Sequence, residues 1–217
     1  MMKLTLLQKI RSYFYPLFVC REASALNPVL ELYYYRGRWQ LATADALYSD
    51  GVYYQPLITA YKALNKELPK LKRVLVLGTG LGSAVQILAR KSYHPAFTLV
   101  ELDEKILRWA IELMPAGINQ HLEPICANAE TFLDDHPTQY DLIIVDVFEG
   151  RFVPAFVLAD AFLQKCKHHL TPDGHLVLNY MVSPAQTEQK AKAALEAAFG
   201  TVSVSGFNLN RVFIARA

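Results

Sequence analysis

The sequence predicts an α/β protein with a doubly wound, mostly parallel sheet of seven strands and a short helix and β-hairpin before it. Three observations carry this expectation. Short, wholly apolar runs such as Val74 to Leu77 and Leu142 to Val145 recur from residue 72 onward, the pattern of strands buried on both faces. Stretches of helical spacing lie between them, so that strands and helices alternate. The last two extended runs, Val202 to Phe207 and Val212 to Ala215, are too close together for a parallel crossover and must pair antiparallel.

Composition narrows the class. The 217 residues are 53% hydrophobic and 19% charged, which excludes disordered, collagen-like and coiled-coil chains. Twenty-two Lys and Arg against 20 Asp and Glu give a net charge of +2, with no electrostatic case for a nucleic-acid partner. Cys20, Cys126 and Cys166 are widely spaced and form no CxxC pair. They suggest neither a disulfide framework nor a metal site, and they fit a reducing cytoplasm.

The chain divides near residue 52. In the extension, residues 1–52, Lys3, Lys9 and Arg11 precede the apolar run Tyr13 to Cys20. That run has eight residues, contains Pro16 and lacks a small-residue cleavage site, so it does not read as a signal peptide. No stretch reaches the ~18 apolar residues of a membrane span. Four basic residues against one acid in the first 22 positions are compatible with an anionic surface, although a helix packed on the domain or on a partner subunit is the simpler reading. Leu30 to Tyr35 and Trp39 to Leu47, joined by Arg36-Gly37-Arg38, predict a β-hairpin.

The main domain, residues 53–217, opens with a helix over Tyr54 to Asn65, where Leu57, Ile58, Tyr61 and Leu64 share a face before Pro69. Strands follow at Val74 to Leu77, Phe97 to Val100, Leu122 to Cys126, Leu142 to Val145 and Leu176 to Tyr180. Helices fall at Ala84 to Arg90, Glu104 to Met114, around Thr131, at Ala159 to His169 and at Ala185 to Phe199. Thr171-Pro-Asp-Gly174 reads as a turn.

The first strand runs into Gly78-Thr-Gly-Leu-Gly82 and then a helix, the context in which a glycine-rich turn approaches a nucleoside ligand. Gly78, Gly80 and Gly82 permit the tight turn. Glu101 ends the second strand, 23 residues after Gly78, where a carboxylate can accept hydrogen bonds from both ribose hydroxyls. Asp103 stands two residues beyond and can help hold the ribose. Asn128, just past the third strand, is placed either for an adenine edge or simply for a turn. The spacing is GxGxG, not GxGxxG, which together with the terminal hairpin favours an adenosyl sulfonium over NAD.

Asp146 and Glu149 follow the fourth strand at the carboxyl edge of the sheet, where open α/β folds bind ligands. An alkylamine of pKa near 10.4 must lose a proton before it attacks, at a cost of about 4.6 kcal/mol at pH 7. Asp146 is the candidate base that offsets part of this cost. Glu149, three residues on, is a candidate to surround the cationic amine.

Gly78 to Gly82, Val100-Glu-Leu-Asp-Glu104, Asn128-Ala129, Asp146 to Gly150 and Leu170 to Gly174 stand in an order that resembles the polyamine aminopropyltransferases, the spermidine synthases and their relatives. The hairpin ending Gly37-Arg-Trp-Gln40 and the later Tyr54-Gln55 are similar to that family's N-terminal segment. The resemblance covers about residues 30 to 180. It implies a class I methyltransferase-like fold and a homodimer. It also implies transfer of an aminopropyl group from decarboxylated S-adenosylmethionine to an amine, leaving methylthioadenosine. On that resemblance Glu101 binds ribose, Asn128 stands in the place of the adenine-binding acid, Asp146 deprotonates the amine, and Gln40 and Tyr54 line the pocket. No metal is implied. The family carries an acid at the position of Leu81 to hold the donor's ammonium, a Glu at Pro56 and a His near Ala60. Two other readings remain open here: a methyltransferase using intact S-adenosylmethionine, and a nucleoside-binding protein without turnover.

Overall fold

The computed structural model of the chain describes residues 4–44, 46–115, 117–134 and 136–217; Lys3, one of the four N-terminal basic residues, lies outside them. The seven-stranded sheet has the order β10-β11-β9-β8-β5-β6-β7. Five of its strands run parallel: β5 (Arg73–Leu77), β6 (Ala96–Glu101), β7 (Leu122–Cys126), β8 (Tyr140–Val145) and β9 (Leu170–Met181). The expected antiparallel finish is present as β10 (Val202–Phe207) and β11 (Asn210–Arg216), with β11 inserted between β10 and β9.

The apolar runs are explained by what covers each face. Leu75, Leu77, Ile143 and Val145 point to one side, beneath α5 (Ala129–Phe132), α6 (Asp160–His168) and α7 (Glu188–Phe199). Their neighbours Val74, Val76, Leu142 and Ile144 point to the other, beneath α2 (Gln55–Ala63), α3 (Ser83–Arg90) and α4 (Glu104–Leu113). Successive residues of one strand thus fill two different cores, which is why these runs are apolar without a break. The strand order reverses at β5, between β6 and β8, which opens a crevice at the carboxyl ends of these three strands.

The extension differs from its expected form. Before the main sheet the chain makes a four-stranded antiparallel sheet from β1 (Leu17–Glu22), β2 (Leu30–Tyr35), β3 (Arg38–Ala42) and β4 (Leu47–Ser49). The hairpin read as continuing to Leu47 breaks after Ala42, where the register shifts, so β4 is a separate strand. The N-terminal helix does not pack on the domain. Helix α1 (Leu6–Arg11) buries none of its residues, and the apolar run after it goes into β1. Leu30, Leu32 and Leu41 dock this small sheet on Leu81, Ile106 and Trp109.

Two further details depart from the expectation. Thr171 to Gly174 is not a turn before a strand but an irregularity inside β9: opposite Tyr140 stands Leu170, whereas opposite Leu142 stands His175. The last strand starts before the expected Val212: Asn210 begins β11 and pairs with Met181. No helix among the described residues is long and apolar enough to cross a membrane.

Candidate active site

The crevice is a cavity of about 250 Å³. Its floor is the glycine loop. Gly78 has φ +86°, and a Cβ there would lie 2.3 Å from the backbone carbonyl oxygen of Asp146, so only glycine lets the end of β5 pass the end of β8 this closely. Gly80, at φ +51°, donates its N–H to Glu101 Oε2 at 3.0 Å. The other carboxylate oxygen, Oε1, accepts from the Asp103 amide at 3.2 Å. Burial raises the Glu101 carboxyl above its ordinary range, against the backbone amides of Gly80, Asp103 and Leu102, which favour its charge; the charge of Asp103 adds to the rise. Glu101 is therefore clamped at the mouth of β6 with both oxygens oriented by main-chain donors.

Across the cavity Asp146 leaves the end of β8. Its Oδ1 accepts from Asn179 Nδ2 at 2.8 Å and from the Tyr54 hydroxyl at 3.1 Å. Asn179 Nδ2 also donates to the Tyr54 hydroxyl at 2.9 Å, and Asn179 Oδ1 accepts from Asn210 Nδ2 at 2.9 Å. Burial pushes the Asp146 carboxyl up to about 6, although the bonds from Asn179 and Tyr54 hold it back; the Glu101 charge raises it further. Burial, with the charge of Asp146 beside it, holds the Tyr54 hydroxyl well above its ordinary value, and Tyr54 stays a neutral donor. The result is a carboxylate fixed by neutral groups, poised near neutrality as a proton acceptor.

The lining brings together seven of the ten residues that the sequence singles out: Gly78, Gly80, Glu101, Asn128, Asp146, Glu149 and Tyr54. Asn128 caps α5, its Oδ1 accepting from the Glu130 amide at 2.8 Å, so the turn role holds while the residue still faces the cavity. Three residues do not line it. Gly82 is the left-handed residue at the start of α3, packed on Met114. Asp103, expected at the ribose, is buried and fully engaged elsewhere: Oδ1 caps α4 through the amides of Lys105 and Ile106, and Oδ2 accepts from Ser24 and from Asn27 Nδ2 at 2.8 Å. Gln40 donates to Asp50 Oδ1 at 2.6 Å, beside the Arg38–Asp50 ion pair; it braces the small sheet.

Sequence reasoning missed the groups that support Asp146. Asn179 is fully buried in β9 among Val177, Leu178 and Tyr180. One amide inside an apolar strand is the available signal, since a buried polar side chain requires partners. It also missed β4. Leu47, Tyr48 and Ser49 wall the cavity, the Tyr48 hydroxyl accepts from the Gly150 amide at 2.8 Å, and the Ser49 and Ser83 hydroxyls lie 2.9 Å apart. The small sheet thus completes the site.

Among the described residues the lining carries four carboxylates, Glu101, Glu130, Asp146 and Glu149, and no Lys, Arg or His. Phe148, Phe156 and Met181 supply an apolar wall. Among the described residues no group of three or more His, Cys, Asp or Glu is arranged to hold a metal. Such a cavity suits a cation with an apolar body, and it offers a protonated amine a proton acceptor.

Comparison with known proteins agrees with this architecture. A model of the spermine/spermidine synthase domain matches residues 51–204. The polyamine aminopropyltransferase of Clostridium botulinum is 26% identical over 176 residues, which span 79% of this chain and 57% of that protein; the chain spans about half the length of the curated relatives it matches. A spermidine synthase crystallised with the transition-state analogue AdoDATO superposes with a TM-score of 0.72 at 15% identity, over 92% of this chain and 73% of that one. Human methyltransferase-like protein 13 in complex with SAH superposes at 0.61 and 21% identity, over 72% and 81% of the two chains.

Proposed function

This chain belongs to the spermine/spermidine synthase domain family, and on that premise we propose that it transfers an aminopropyl group from a decarboxylated adenosyl sulfonium to a small amine. The observation that carries the reading is the charge of the cavity, lined among the described residues by four carboxylates and no cation. A decarboxylated donor brings a sulfonium and an ammonium, both favoured there. Intact S-adenosylmethionine adds a carboxylate that finds no cationic side chain. Glu101, with both oxygens oriented by main-chain amides, holds the ribose hydroxyls; Asn128 faces the adenine.

Asp146 takes up the proton. The acceptor amine enters beside the apolar wall of Phe148 and Phe156 and gives a proton to the carboxylate. Its nitrogen lone pair then forms a bond to the methylene carbon next to sulfur. The C–S bond breaks with its electron pair passing to sulfur, and a neutral thioether leaves. Asn179 and Tyr54 keep the Asp146 carboxylate in place throughout, and neither changes charge. With a pKa of about 6, Asp146 is roughly nine-tenths ionised at pH 7, ready to accept. Glu149 lies on the same rim and attracts the incoming cation.

The discriminating experiment is calorimetric titration with decarboxylated S-adenosylmethionine, S-adenosylmethionine and methylthioadenosine, followed by turnover with putrescine. Preference for the decarboxylated donor and a product enlarged by an aminopropyl group, lost in Asp146→Asn, support the reading. Methyl transfer to the amine, or tight methylthioadenosine binding with no turnover on any amine, overturns it.

A further inference from the structure

Helix α1 is well made yet covers nothing. Thr5 and Gln8 form a reciprocal capping box at its start. At its end Ser12 is fully buried, its hydroxyl donates to the Lys9 carbonyl at 2.6 Å, and its own carbonyl accepts from the Arg36 amide at 2.9 Å. The helix is therefore moored to the turn between β2 and β3. Its apolar side chains nevertheless face away from the body: Leu6, Leu7 and Ile10 are 75%, 64% and 52% exposed, and Phe14, just beyond, is 81% exposed. A six-residue helix is marginal in water by itself, and an apolar stripe left in solvent adds nothing to it.

The charges say what covers this face. At about 100° per residue, Leu6, Ile10 and Leu7 fall within one sector of roughly 100°. Lys9 flanks it on one side and Arg11 on the other, with Gln8 opposite. Neither cation has an ion-pair partner among the described residues; Arg11 instead lies over the Tyr15 ring. From Leu4 to Arg21 the sequence contains no acid. A two-fold contact of this helix with its own copy would bring Lys9 and Arg11 of both protomers together, with no carboxylate on the segment to separate them. A layer of anionic headgroups over hydrocarbon matches both features, because long cationic side chains bury their stems and place their heads among phosphates.

We propose that α1 docks the protein on the surface of an anionic lipid bilayer, with Leu6, Leu7, Ile10 and Phe14 inserted and Lys9 and Arg11 paired to headgroups. The test is co-sedimentation of the full chain with phosphatidylcholine vesicles, with and without phosphatidylglycerol, at low and high salt. Binding is expected only with the anionic lipid and is expected to weaken with salt. Lys9→Gln with Arg11→Gln should weaken it about 25-fold, at about fivefold per cation. Leu7→Gln with Ile10→Gln should weaken it more than about tenfold. All four side chains are exposed, so the unfolding transition and nucleoside binding stay unchanged. Equal binding to neutral vesicles, no binding to either, or indifference to both variant pairs overturns the proposal. So does a dimer in equilibrium sedimentation that Leu7→Gln with Ile10→Gln dissociates, which assigns the face to a second copy.

Discussion

Asp146→Asn should abolish turnover and make the protein more stable, with the gain depending on pH. The substitution keeps the local geometry, since the amide oxygen of Asn can accept from Asn179 and Tyr54 as Asp146 Oδ1 does. What it removes is a half-buried charge. The carboxyl of Asp146 rises from its ordinary 3.8 to about 6 on folding. At about 1.4 kcal/mol per tenfold change in proton affinity, ionisation in the folded state then costs roughly 3 kcal/mol. The sign follows from linkage: because the folded value lies above the unfolded one, the contribution to stability is complete below pH 3.8 and is lost as pH rises through 6. Above pH 7 the variant should therefore gain roughly 3 kcal/mol relative to its low-pH baseline, a rise of roughly 6 to 12 °C in Tm for a domain of this size. Most of the gain should develop between about pH 4 and pH 6. Denaturant unfolding of both proteins from pH 4 to pH 8 measures the gap. Parallel stability curves would refute the reasoning, because a carboxylate that behaves normally in the fold is neither desolvated nor tuned as a base.

The other expectations concern single contacts. Glu101→Gln should weaken methylthioadenosine binding by about ten- to a hundredfold in calorimetry, the worth of a charge-assisted hydrogen bond at roughly 1.5–3 kcal/mol. Asn179→Leu removes the 2.8 Å donor from the Asp146 carboxylate, so the acidic limb of the kcat/KM profile should move upward by about one to two pH units; an unmoved limb would show that Asn179 is only structural. Gly78→Ala sets a methyl group 2.3 Å from the Asp146 carbonyl oxygen at a positive φ and should destabilise the folded state by at least about 3 kcal/mol. Leu81→Asp places an acid where Leu81 is fully buried against Leu30, Leu32, Leu41 and Trp109. It should destabilise the protein by several kcal/mol and leave the affinity for a decarboxylated donor no higher.

The sheet was legible because its strands are buried on both faces and so leave unbroken apolar runs, and because glycines at a strand–helix junction mark a close backbone approach. Glu101 and Asp146 were legible for the same reason: each ends a strand whose carboxyl edge faces the crevice. The small sheet was only half legible. Its edge strand β1 and its third connection obey no periodicity, and β4 has three residues, too few to announce themselves. Asp103 illustrates a different limit. Its spacing from Glu101 suits a ribose ligand as well as a helix cap, and only the loop carrying Ser24 and Asn27, about 75 residues earlier in the chain, decides between them. Asn179 and Asn210 belong to the same class, since their meaning lies in pairing between β9 and β11.

The position of Leu81 also bears on how firmly such a site can hold its substrates. The resemblance places an ammonium-binding acid there, but in this chain the side chain has turned out of the cavity to anchor the small sheet that walls it. The acids that remain for a cationic tail are unequal. Glu101 is occupied by main-chain donors and, on the reading above, by ribose. Asp146 is half-buried and, on the same reading, is reserved as the base. Glu130 and Glu149 are exposed, where water and salt screen their attraction to well under the strength of a buried contact. Discrimination between donors then rests less on attraction to a particular acid than on rejection of a carboxylate by a lining without cations. On the proposed function, such a site should reject intact S-adenosylmethionine while gripping the decarboxylated form loosely, and its donor affinity should depend on ionic strength more steeply than its affinity for the uncharged methylthioadenosine.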